Sequence, residues 1–171
     1  MTEIRPSQIV VAYDFSASAE YALESAVALV VRQPHHLLHV IAALGARGRI
    51  SHGVRDGITF ETPADQVQDS MSERVREAFA NQGTTESIDF HVHARIGRPA
   101  DEILGLAKEV GADQIFIGSH GKTGVQRLLL GSVSERVVRE ALCPVTVVRA
   151  KTYEDVELVP VVPFEHERMH Y

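Results

Sequence analysis

"IFIGSHGKTGVQRLLLGSVSERVV", residues 115 to 138, decides how the chain is to be read. Ile115 to Ile117 is an apolar run of strand composition, and Val133 and Val137 recur at helical spacing. The stretch is therefore a strand, a glycine-rich turn and a helix. It looks at first like a P-loop, but that motif keeps four residues between its first glycine and Gly-Lys-[Ser/Thr]. Here only Ser119 and His120 separate Gly118 from Gly121. The glycines either hold a nucleotide in another way or turn a corner.

Working outward, the same alternation recurs. "IVVAY" (Ile9 to Tyr13) is a continuous apolar run of strand length, and Ala22, Leu23, Ala26, Val27 and Val30 mark a helix over 17–32 with Ser16 as N-cap. "HLLHVIAAL" (36–44) is a second strand. The 18 residues that follow, 45–62, hold four glycines and no period, and read as a lid or mobile loop made basic by Arg47, Arg49 and Arg55. Thr62 as N-cap and Pro63 as first helical residue open a helix to about Asn81. "SIDFHVHARIG" sets Ile88, Phe90, Val92, Ala94 and Ile96 against Asp89, His91, His93 and Arg95, the pattern of an edge strand with one wet face.

Pro99 starts a helix with Ile103, Leu104, Ala107 and Val110 inward, and "QIFIG" is the strand ending at Gly118. Val133, Val137, Val138, Ala141 and Leu142 are the apolar positions of the last helix, and "PVTVVRA" closes the sheet. Strands alternating with helices imply right-handed crossovers and a parallel sheet covered on both faces, an α/β fold. We expect one such domain over 1–150 and a C-terminal extension over 151–171. In the extension Val156, Leu158, Val159, Val161, Val162 and Phe164 are apolar, while Pro160 and Pro163 forbid a continuous helix, so an extended segment in a surface groove is expected.

A net charge of −6 opposes attraction to phosphate backbones, which excludes nucleic acid as a main partner. The longest apolar run, Ala26 to Val31, is too short for a membrane span, and "MTEIRPSQ" carries no signal-peptide core, so a cytoplasmic location is expected. The single cysteine, Cys143, reads as packing.

In an open parallel sheet ligands bind beyond the carboxyl ends of the strands. Asp14, Val40 and Gly118 fall there, and Gly131 precedes a helix whose first amides, at Ser132, Val133 and Ser134, suit an anion. Gly118, Gly121 and Gly131 would admit phosphate without Cβ obstruction, Ser132 and Ser134 could add hydroxyl donors, and His120 and Lys122 could reach the phosphates.

The spacing Gly-x2-Gly-x9-Gly-Ser, at Gly118, Gly121, Gly131 and Ser132, resembles that of the ATP-binding universal stress proteins. "VVAYDFSASAEYAL", "LLHV", "GRPADEIL", "ADQIFIGSHGKTG", "LLLGSVSERVV" and "CPVTVV" carry the resemblance over roughly residues 7 to 150. It implies a Rossmann-like sheet of order 3-2-1-4-5 and ATP, with Mg²⁺, as ligand. It further implies phosphate contacts from Gly118, Gly121, Gly131, Ser132, Val133 and Ser134, ribose contact from Asp14 and adenine contact from main-chain atoms around Val40. It also implies a homodimer through the last strand, Val145 to Arg149.

Two other readings stay open. The fold could serve as an interaction module with an empty glycine site. Alternatively "HERMH" (166–170) matches the zincin pattern, although only Tyr171 follows it to supply a third ligand. His91 and His93 share a strand face and could chelate. We find no carboxylate placed to orient water on a γ-phosphate, so the sequence reads as a nucleotide sensor with no catalytic residue and no resident metal.

Overall fold

The computed structural model describes residues 5–33, 35–45, 49–55, 58–84, 89–120 and 130–149, with the backbone alone at 49–55, 58–62, 64 and 65. Strand β1 (Ser7–Ala12) leads through helix α1 (Ala17–Arg32) to β2 (His36–Leu44). A hairpin follows, β3 (Arg49–Arg55) and β4 (Ile58–Pro63), then α2 (Ala64–Asn81) and β5 (Phe90–Ile96). The chain continues through α3 (Pro99–Val110), β6 (Gln114–Gly118), α4 (Ser132–Glu140) and β7 (Val145–Val148).

Five strands pair in parallel in the order β5-β2-β1-β6-β7, the expected 3-2-1-4-5. Successive residues of a strand point to opposite faces. The apolar run of β1 therefore divides: Ile9 and Val11 pack with α1 and α2, while Val10 and Ala12 pack with α3 and α4. A strand buried on both sides cannot alternate, which is why "IVVA" reads as unbroken. Helix α3 stops at Gly111, whose φ of 62° suits glycine. Arg5 donates to the carbonyl oxygens of Gly111 at 2.7 Å and Val110 at 3.3 Å, a cation at the negative helix end.

Five expectations change. The 45–62 stretch is not a structureless loop, because β3 and β4 pair antiparallel; the register shift between Ser51 and Val54 interrupts the period-two pattern. Thr62 is a ladder residue opposite Ile50, so extended backbone continues through Pro63 and α2 begins at Ala64, with Pro63 as N-cap. In α3 the fully buried positions are Ala100, Ile103, Leu106 and Ala107, with Leu104 and Val110 partly buried beside them. Helix α4 ends at Glu140, ahead of Ala141 and Leu142, and Leu142 is 93% exposed. The wet face of β5 is also less wet than its pattern implies: His91 is exposed, but His93 and Arg95 are half-buried.

Leu106 and Leu142 therefore contrast directly. Leu106→Ala should cost about 2–5 kcal/mol of stability by leaving a cavity. Leu142→Ala should stay within about 0.5 kcal/mol. Urea denaturation of both variants checks the assignment.

Candidate functional site

The carboxyl ends of β1, β2 and β6 face the amino ends of α3 and α4 across a cleft of about 160 Å³. That is room for on the order of ten waters, so the cleft suits a small molecule better than a single ion. Its apolar walls include Ala12, Ile41, Ile103 and Ile117. Its polar groups come from three turns.

The first turn follows β1. Phe15 has a φ of 62°, a left-handed conformation that costs a non-glycine residue about 1–2 kcal/mol. Its ring packs edge-on to Tyr13 at 4.8 Å, and the Ser16 amide donates to Asp14 Oδ1 at 3.0 Å. Ser16 Oγ in turn caps α1 by accepting from the Ala19 amide at 3.3 Å. The Asp14 carboxylate is thus fixed at the cleft wall with one oxygen committed to its own turn. Tyr13 donates its hydroxyl to Glu20, and burial together with that bond holds the phenol protonated well above its usual range.

The second turn follows β6. The Ser119 amide donates to Val148 O at 2.8 Å, and Ser18 Oγ donates to His120 O. His120 Nδ1 pairs with Ser119 Oγ at 3.0 Å, while its Nε2, in a ring that lines the cleft, is buried with no hydrogen-bond partner among the described residues. An orphaned buried nitrogen carries a desolvation penalty that a polar ligand would relieve.

The third turn opens α4. The Gly131 amide donates to Ser119 O at 2.9 Å, and the first intrahelical donor is Glu135 N, to Gly131 O at 2.8 Å. The amides of Ser132, Val133 and Ser134 precede it and make no intrahelical bond. They are the helix-end donors that an anion takes.

Asp14, Gly118, His120, Gly131, Ser132, Val133 and Ser134 all line this one cleft. Val40 does not: its side chain is fully buried in the α1–α2 core, and its neighbour Ile41 forms the wall. The Ser134 hydroxyl faces Gly131 O at 2.9 Å and Ser119 O at 3.2 Å, so it serves the fold rather than a ligand. Gly118 has a packing reason of its own, since a Cβ there would meet Ser18 Oγ at 2.6 Å and the Ser18 carbonyl carbon at 2.8 Å. Gly121, Lys122, Arg47, His166 and His170 lie outside the described residues, and of Arg49 and Arg55 the backbone alone is described. Pro99 and Ile103 were not among the residues assigned to the site from sequence, although "GRPADEIL" carried them.

Residues 7–149 match the model of the universal stress protein family. The chain belongs to that family. Among its relatives, universal stress protein MJ0577 of Methanocaldococcus jannaschii is 32% identical over 148 residues, 81% of this chain and 91% of the relative. Universal stress protein YxiE of Bacillus subtilis is 31% identical over 150 residues, 84% and 99%. Among solved structures, universal stress protein UspA from Lactobacillus plantarum aligns with TM-score 0.57 at 25% identity, covering 86% of this chain and all 100% of that one. A universal stress protein in complex with cAMP aligns with TM-score 0.57 at 23% identity, covering 85% and 98%. At that identity the likeness is one of fold.

The two universal stress protein glycines at the cleft should behave differently. Gly118→Ala should destabilise the fold by about 1–3 kcal/mol through overpacking against α1. A Cβ at Gly131 would meet Ser119 O at an ordinary 3.5 Å, and its φ of −62° suits any residue. Gly131→Ala should therefore leave stability within about 0.5 kcal/mol. Thermal and urea unfolding without ligand separates the two.

Proposed function

We propose that this universal stress protein binds ATP, delivered with Mg²⁺, and works as a nucleotide-dependent sensor whose output is conformation or partner choice. One observation carries the reading. A fixed carboxylate at Asp14, a ring nitrogen of His120 with no partner among the described residues and the helix-end amides of Ser132 to Ser134 converge on one cleft with apolar walls.

The chemistry of these groups matches the parts of a nucleotide. A carboxylate accepts from the two hydroxyls of a ribose, and helix-end amides donate to phosphate oxygens. The apolar wall at Ile41, with main chain of β2 beside it, suits a purine face and edge. Gly121 and Lys122 would extend the phosphate contacts. Mg²⁺ enters as the counter-ion of the triphosphate, since among the described residues no group of three His, Cys, Asp or Glu side chains is arranged to hold a metal. With Asp14 at the ribose end, no described carboxylate is set to orient water on a γ-phosphate, and we assign binding rather than turnover. Another universal stress protein of this fold, from Archaeoglobus fulgidus, was solved with dAMP, at 22% identity and TM-score 0.56. That likeness extends to the fold, and the assignment rests on this chain's own residues.

A homodimer through β7 accompanies the proposal. That strand ends the sheet, its four residues are only half-buried, and Leu142 stands exposed just before it. An apolar edge with no partner strand among the described residues is of the kind that a second copy satisfies.

At 100 times its Kd, ATP with Mg²⁺ should add about 2.7 kcal/mol to stability. For a domain of this size that is a melting shift of about 5–10 °C. GTP should give a smaller shift. Gly131→Val should remove the shift while keeping the ligand-free melting temperature, and Asp14→Ala should weaken it. Absence of any shift at saturating ATP would favour the interaction module.

A further inference from the structure

Away from the cleft walls, three imidazoles gather on the α3 side of the sheet. His39 of β2 stands opposite His91 of β5 in the ladder, and His93, two residues on, shares that face. The rings of His39 and His91, and of His39 and His93, have centroids 5.3 Å apart. His39 is 5% exposed, His93 half-buried and His91 exposed, so the three lead from the core to solvent.

Their bonding has a direction. Gln8 Nε2 donates to Pro6 O at 2.8 Å, which leaves Gln8 Oε1 to accept from His39 Nε2 at 2.8 Å. His39 therefore carries its proton on Nε2, and its Nδ1 accepts from His93 Nε2 at 3.0 Å. Both nitrogens of His39 are satisfied while the two rings are neutral. A proton added to His39 Nδ1 would point at a nitrogen that is already a donor.

The surroundings do not welcome that charge. From β1 the facing side chain is the neutral Gln8, whose backbone amide is held by Asp113. From β5 come His91 and the cation Arg95. From α3 comes Glu109, which is engaged by Arg95 at 2.9 and 2.6 Å, with Glu102 also acting on Arg95. Arg5, at the end of α3, is bound to main-chain carbonyls. Among the described residues no carboxylate is hydrogen-bonded to any of the three rings.

We propose that the His39–His93 pair is a proton-responsive latch, fastening edge strand β5 to β2 beneath α3 when neutral and releasing that face in mild acid. Ile41 of the same sheet face and Ile103 of the α3 packed on it line the cleft, so acid would loosen the cleft from behind. Burial first, and then the neighbouring rings of His93 and His91, push His39 down to about 4; burial, Arg95 and His91 lower His93, with Glu109 opposing. A histidine whose folded pKa lies below its unfolded value leaves the unfolded chain with more bound protons. Stability is complete above the unfolded value of about 6.5 and is lost as pH falls toward the folded one. For His39 alone this is roughly a 30-fold fall in the folding equilibrium between about pH 7.5 and about pH 5.

The experiment is urea denaturation of the full chain without nucleotide, at about pH 7.5 and about pH 5, for the wild type, His39→Gln and His93→Gln. The wild type should lose roughly 30-fold more than His39→Gln across that interval. Nuclear magnetic resonance titration of the wild-type His39 imidazole should show the Nε2–H tautomer at neutral pH, with its protonation displaced well below the ordinary histidine value of about 6.5. If His39 titrates at the ordinary histidine value of about 6.5, or if all three proteins share one pH dependence, the latch is refuted. Should a variant fail to fold, the wild-type titration decides alone. Neither readout uses ATP, so the outcome is separate from that of the nucleotide assignment.

Discussion

At Gly118 the end of β6 runs against the first turn of α1 with no space for one added carbon beside Ser18. Much of the cleft is hung from that approach. It lets Ser18 Oγ donate to His120 O, which joins the first turn of α1 to the turn after β6. Ser119 O then receives the Gly131 amide and faces Ser134 Oγ, which fixes the amino end of α4. Ser119 N reaches Val148 O and ties in the last strand. A carboxylate, a ring and a helix end are held together by hydrogen bonds to the main-chain carbonyls of Ser119, His120 and Val148.

The fold was legible because a two-sided parallel sheet writes itself as apolar runs, such as Ile9 to Tyr13, separated by helical periods. It failed where a second rule acted. The β3–β4 hairpin was hidden because its register shift breaks the alternation. A different sign was present in the Asp56-Gly57 pair between Arg55 and Ile58, a strong two-residue hairpin signal. Leu142 looked like core because it continues the spacing of Val138, but α4 had already ended. His93 looked wet because polarity alone marks a strand face as solvated, and three rings that bond and stack on one another can cover themselves.

The site was legible as a set of positions and less so as a set of roles. Asp14, Gly118, His120 and Gly131 to Ser134 do line one cleft. Yet Gly118 answers to the packing of α1, and the Ser134 hydroxyl to two carbonyl oxygens. Spacing records which residues are brought together, whereas a hydrogen bond to a main-chain carbonyl leaves no pattern in the sequence. The orphaned nitrogen of His120 is likewise a property of its surroundings.

The central strand has one near neighbour and one very distant neighbour along the chain. Strand β1 pairs with β2 on one side, but on the other it waits for β6, and Gln8 N is held by a carboxylate 105 residues further on. Translation at about 5–20 residues per second leaves roughly 5–20 s between the two halves of that ladder. Throughout that interval the nascent chain holds a bare Ile-Val-Val edge, which is a template for adhesion to other chains. The geometry that places a ligand cleft at the middle of the sheet thus also leaves the newborn polypeptide with an adhesive edge until β6 has emerged.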